Sequence, residues 1–233
     1  MALVHNAMIR GFNSIVNQHA HVPESELDDF QKYCSDWVTL FESHHAQEED
    51  SLFGLIAQAL DADSLSLWTQ THDEHEVLVA KLTNLASKVD HRTPATRAKT
   101  TLFASLLEDM RPAFEAHMHA EVDVIARLAS HANAPPPGSQ READVRAIFK
   151  TWGKTSIPRP VLHFFLMNLD ATFEEGRWAG WPPMPAPVRW GLTNVMGMAH
   201  GRSSKFASCD VRGMPRELYA LEVRGEGKTK TEL

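Results

Sequence analysis

Residues 41 to 56 read Phe41-Glu42-Ser43-His44-His45-Ala46-Gln47-Glu48-Glu49-Asp50-Ser51-Leu52-Phe53-Gly54-Leu55-Ile56. On an α-helix a four-residue step is just over one turn, so His44 and Glu48 stack on one face and reach toward one point. That face is apolar. Phe30, Cys34, Trp37, Phe41, His44, Glu48, Leu52 and Leu55 follow one another at three- and four-residue steps, which predicts a helix from near Glu26 to Ala59. His45 and Glu49 form a competing four-step pair on a weaker stripe with Val38, Leu52 and Ile56. His44 and Glu48 therefore rank first, and His45 and Glu49 are placed beside them as groups that orient ligands or move protons.

A second copy of the same spacing, His117 to Glu121, lies on a stripe with Phe103, Leu106, Met110, Phe114, Val124 and Leu128, predicting a helix over roughly Ala95 to Ser130. Pro112 is expected to kink it. His119 and His131 fall off the stripe. Before the first pair, His5 sits in register with Met8, Ile9, Phe12, Ile15 and Val16, so a helix starting almost at Met1 carries it inward. Between the pairs, His75 is in register with Leu78, Leu82, Leu85 and Val89 on a helix from about Ser64, capped by Ser64 or Asp63, to Val89. His72 follows Trp68 by one turn and joins the supporting candidates. Four long amphipathic segments with short connections make an all-α, up-down-up-down four-helix bundle.

Six inward groups follow: His5, His44, Glu48, His75, His117 and Glu121. Two carboxylates buried in one core cost several kcal/mol each unless a cation compensates them. The stripes carry no Lys or Arg, so a pair of metal dications is the expected compensation. The chain has 13 histidines, clustered toward the N-terminal half, and only two cysteines, Cys34 and Cys209, in no zinc-finger spacing. Imidazole and carboxylate donors suit iron, manganese or zinc.

Composition narrows the rest. A chain of 233 residues with 43% hydrophobic content can bury a sizeable core. The net charge of −7, without basic runs, argues against nucleic acid and anionic membranes as partners. No basic and apolar leader opens the sequence and no apolar stretch is long enough to span a bilayer, so a soluble cytoplasmic protein is expected. Pro135-Pro136-Pro137-Gly138-Ser139 marks a boundary between a bundle over 1–133 and an extension over 134–233 that packs on it. In the extension, Val145, Ile148, Phe149 and Trp152 predict a short helix, Val161 to Met167 is apolar, and another helix is expected near Val188 to His200. Trp178, Trp181 and Trp190 are candidates to cover an apolar small molecule, whereas His163, Asp170, Glu174 and Glu175 read as solvated charge rather than a second site. The polar tail from Gly225 to Leu233 is expected to fray.

The order His5, then His44-His45-x-x-Glu48-Glu49 with Leu52-Phe53, then Glu74-His75-x-x-Leu78, then His117-x-x-x-Glu121, resembles the hemerythrin-like HHE cation-binding domain family over about residues 1 to 130. Asp170-x-Thr172-Phe173-Glu174 with the following Trp-Pro-Pro is similar to the C-terminal extension of its stand-alone members. The resemblance implies a four-helix bundle around an oxygen-bridged dinuclear non-haem iron centre (Fe2+/Fe3+), with manganese or zinc as lesser alternatives. It makes Glu48 and Glu121 bridges and His5, His44, His75 and His117 terminal ligands. The oxygen-carrying members place two histidines one turn apart on the third helix, whereas His72 and His75 are three apart, which points toward redox chemistry or sensing. The expected function is binding, reduction or sensing of O2, peroxide or NO. An oxygen-activating oxidase or oxygenase acting on an organic small molecule is the alternative, and an iron- or oxygen-responsive interaction module is the third reading.

Overall fold

The computed structural model describes residues 1–90, 92–155, 157–195 and 202–223. It is helical throughout, and no strand occurs among the described residues. The expected tail from 225 onward and the end of the helix expected near Val188 to His200 lie outside them. No described helix is long and apolar enough to cross a membrane.

The long helices form where the apolar periodicity predicts them. α1 spans Ala2–Gln18 and buries Val4, His5, Met8, Phe12 and Ile15. α2 spans Leu27–Gln47, continues through a π-helical segment Glu48–Leu52, and resumes as α3, Phe53–Ala59. α4 spans Ser64–Ala86 and α5 spans Arg97–Arg127, running through Pro112. The Asp63 carboxylate accepts the Ser66 backbone N–H (2.8 Å) and caps α4, taking the second of the two expected capping residues. α6, Gln140–Thr155, is the short helix expected after the proline run. Ser139 Oγ accepts the Glu142 N–H at 3.1 Å while the Glu142 carboxylate accepts the Gly138 N–H at 2.6 Å, a reciprocal cap that restarts helical structure there. α7, α8 and α9 are short: Leu162–Met167, Ala186–Trp190 and Tyr219–Val223.

Several inward assignments need correction: Ile9, Val16, Val124 and Leu128 are only half-buried, and two positions change more. Leu55 is 39% exposed, and Ile56, Ala57 and Leu60 are buried in its place. The π segment adds one residue to the helical repeat, so every apolar position after it shifts by one. On α5 the buried residue is Leu107 rather than Leu106, because the inner row steps from Phe103 by four residues instead of three.

The chain gathers into two compact units. The first comprises residues 1–39, 84–109 and 159–233. Its core includes Phe12, Phe30, Trp37, Phe103, Phe165 and Phe206, all at 1% exposure or less. Trp37 Nε1 donates to the Met8 carbonyl (3.0 Å), and Tyr33 donates to Asn168 Oδ1 (2.9 Å). Gly11 lets α7 approach α1: a Cβ there would stand 2.9 Å from both Phe164 Cζ and Trp37 Cδ1. Asp170 pairs with Arg10 (3.1 Å), Glu174 accepts the Trp178 indole N–H (2.7 Å), and His163 Nδ1 lies 3.0 Å from the Leu192 carbonyl. Trp178 and Trp190 are exposed, and Trp181 packs edge-on against Phe165. Cys34 and Cys209 are fully buried free thiols in this unit, and burial pushes both upward from the ordinary thiol range. Iodoacetamide should label neither in the native protein and both after denaturation, as read by mass spectrometry; native labelling of Cys34 would mean that this core opens readily.

The second unit comprises residues 40–83 and 110–158. Phe53 stacks on Trp68 (4.2 Å between centroids), and Trp68 Nε1 donates to the Phe53 carbonyl (3.2 Å). α6 packs against α3. Here Arg141 donates to the Ala59 carbonyl (3.2 Å) and Trp152 Nε1 to the Gln47 carbonyl (3.4 Å).

Candidate metal centre

α2 with its π-helical continuation, α4 and α5 bring five of the six expected inward groups into the second unit: His44, Glu48, His75, His117 and Glu121, none more than 3% exposed. His5 is 2% exposed on α1 and belongs to the first unit. The two competing pairs on α2 separate cleanly. His44 and Glu48 are fully buried, with His44 Nε2 2.9 Å from Glu48 Oε1. His45 is also buried, but Glu49 turns outward and its side chain is 33% exposed.

The donors fall into two groups. His44, Glu48 and Glu121 offer ligand atoms within 4.8 Å of one another, and so do His45, His75 and His117. His45 thus stands among the inner donors rather than beside them. Consecutive residues on a helix point about 100° apart, so His44 and His45 address neighbouring groups.

The second group is aimed from outside. His45 Nδ1 lies 2.9 Å from the Phe41 carbonyl, His117 Nδ1 lies 3.0 Å from Glu74 Oε2, and His75 Nδ1 lies 2.6 Å from Glu49 Oε1. A carbonyl or carboxylate only accepts, so each ring donates through Nδ1 and, when neutral, carries a lone pair on Nε2. Yet His45 Nε2 and His117 Nε2 face each other at 3.0 Å. Two lone pairs at that distance repel unless a shared proton or a metal cation lies between or beside them. His75 Nε2 is buried without a hydrogen-bond partner, 3.9 Å from Glu48 Oε2. Burial and then the neighbouring His117 hold His75 below the ordinary imidazole range, keeping it in the form that binds metals. Burial and the adjacent Glu121 carboxylate raise Glu48 well above the usual carboxylate range. The donor set fits a metal pair: three imidazoles with fixed tautomers, a fourth beside them, and two adjoining buried carboxylates.

Sequence reasoning missed two supports. Glu74, on the residue before His75, holds His117, and it went unassigned because it lies off the apolar stripe. Trp152 of α6 lies 6.0 Å from the His44 ring and is 8% exposed, so the extension contributes a wall to this region. His72 is not among the inner donors; its Nδ1 lies 2.6 Å from Glu49 Oε2, sharing the carboxylate that holds His75.

The family model for the hemerythrin HHE cation-binding domain matches residues 1–129. The chain belongs to this family. As a hemerythrin HHE protein it carries a metal-binding helical domain, and its all-helical structure is the one the family calls for. The dimeric xanthone biosynthesis cluster protein R11 of Cryptosporiopsis sp. (strain 8999) is similar at 24% identity over 236 residues, covering 98% of this HHE chain and 84% of that protein. No solved structure matches.

Proposed function

We propose that this protein holds a pair of iron ions and binds or reduces a small oxidant such as O2, peroxide or NO. The facing Nε2 atoms of His45 and His117, beside Glu48 and Glu121, are the observation that carries the reading. Mixed imidazole and carboxylate donors suit iron, manganese or zinc, and the family resemblance favours iron among them. When bound, such a pair supplies electrons and an open coordination position to a small oxidant.

The chain's own residues do the rest. Glu48, Glu121, His44, His45, His75 and His117 would hold the metal pair. The terminal role that the family resemblance gives His5 is part of the same proposal. Phe41, Glu49 and Glu74 fix the imidazole orientations, and Glu49 and Glu74, both partly exposed, accept the Nδ1 protons of His75 and His117. Trp152 limits water over His44.

Protein purified from iron-replete cells should contain a pair of irons per chain and a near-ultraviolet band that responds to O2. Less than one metal per folded chain would remove the reading.

A second reading has one observation in its favour. Similarity to a biosynthesis cluster protein spans nearly the whole chain, extension included. That pattern suits a centre that activates oxygen for the oxidation of an organic small molecule.

A further inference from the structure

An open groove of about 590 Å³ runs along the second unit between α4 and the end of α5. That volume lies within the range of small-molecule sites. Leu67 on α4 and Val124 and Leu128 on the other side supply an apolar strip. Arg127 and Asp73 also line the groove, one cationic and one acidic. Thr71 is its buried part, at 2% exposure. His131 lines it too, with Nδ1 accepting the Asn133 backbone N–H at 3.1 Å.

The groove adjoins the metal-binding side chains through both helices. Thr71 precedes His75 by four residues, and Val124 follows Glu121 by three, so each is one turn along from an inner donor. A direct chain of hydrogen bonds also connects them. Gln70, in the groove lining, donates to Glu74 Oε1 (2.8 Å), and Glu74 Oε2 holds His117 Nδ1 (3.0 Å). One carboxylate therefore serves the groove wall and an inner imidazole together.

We propose that this groove binds a small hydroxy-carboxylic acid with an apolar body. Arg127 takes the carboxylate, because a planar guanidinium matches it with two parallel charge-assisted hydrogen bonds. Asp73 accepts the hydroxyl, and Leu67, Val124 and Leu128 cover the hydrocarbon. A neutral hydrocarbon would leave the guanidinium unused, and a dianion such as a phosphate ester would be repelled by Asp73. Occupancy is felt at His117, since a ligand that moves Gln70 also moves the acceptor of the His117 Nδ1 proton. As a substrate site the groove rests on the organic-oxidation reading above; as a binding site it stands on its own lining.

The test is a fluorescence titration of 3-hydroxy-2-naphthoate into the full chain, metal-loaded and metal-free, with metal content measured on the same samples. Saturable binding is expected in both, weakened about tenfold or more in Arg127→Gln by loss of the charge-assisted bonds. Val124→Trp, which fills the groove from a half-buried position, should abolish it, and circular dichroism confirms that both variants fold. Absence of saturable binding to the wild-type chain, or equal binding by folded Arg127→Gln and Val124→Trp, overturns the proposal. Full iron content without probe binding removes the groove and leaves the metal centre standing. Probe binding by a chain that takes up no iron supports the groove and removes the redox reading instead.

Discussion

Glu48→Gln should abolish loading of the metal pair and, at the same time, make the metal-free protein more stable. The first effect follows from loss of a carboxylate proposed to hold the metal pair. Displacing supporting groups around metal ligands already costs about 10–100-fold in affinity, so removing such a carboxylate should cost at least the upper end of that range. The second follows from burial. Glu48 is fully buried beside Glu121, and burial and that neighbouring carboxylate raise it well above its ordinary value of 4.5. An acid whose folded value is raised binds more protons folded than unfolded, so stability falls as pH rises from the unfolded value toward the folded one. Below the unfolded value both states are protonated and the penalty vanishes. The amide should therefore gain of order 1–3 kcal/mol near pH 7, and this gain should shrink as pH drops toward 4.5. Thermal melts of chelator-treated wild type and variant across that window measure it. A variant less stable than metal-free wild type at pH 7 would show that the carboxylates are compensated without metal.

Glu74→Ala and Glu49→Ala should each lower metal affinity about 10–100-fold without removing an inner donor. Each holds the Nδ1 proton of one ring: Glu74 that of His117, Glu49 that of His75. Without the acceptor the ring can turn and exchange tautomers, and its Nε2 lone pair is no longer aimed. Competition against a chromogenic chelator measures the loss. Glu76→Ala, an exposed acid on the same helix, is the control and should leave affinity unchanged. Equal effects of all three would mean that net charge, not orientation, sets affinity.

The bundle helices were readable because their apolar rows are long and regular. Phe12, Trp37, Phe41, Phe103 and Phe114 all lie in the core at 1% exposure or less, and the histidines in register with such rows are buried with them. What periodicity misses is a change of period. The π segment after Gln47 has no sequence mark that a count by threes and fours detects, so Leu55 was set inward and Ile56 second. The placement of His45 was missed for a related reason: one stripe was chosen where two adjacent faces are buried. Supporting carboxylates are harder still. Glu74 looks like any acid on a half-exposed face until the fold brings His117 within 3.0 Å. Trp152 was legible as an apolar position on α6, but its place against His44 depends on where the segment after the proline run packs.

The π turn also works as a gear. Upstream, the helix is indexed by His44 and Glu48; downstream, it is indexed by Phe53, which lies 4.2 Å from Trp68 and 5.7 Å from His75 in stacked geometry. A uniform α-helix cannot satisfy both phases, because 3.6 residues per turn fixes one from the other. The extra residue decouples them. Winding 48–52 as plain α-helix without losing a residue would thus swing the whole downstream arm by about 100° and carry Phe53 off the histidine it backs, whereas excising one residue from 50–52 would remove the π turn and keep both phases. In this helix, the length of a five-residue stretch carries more information than the chemistry of its exposed side chains.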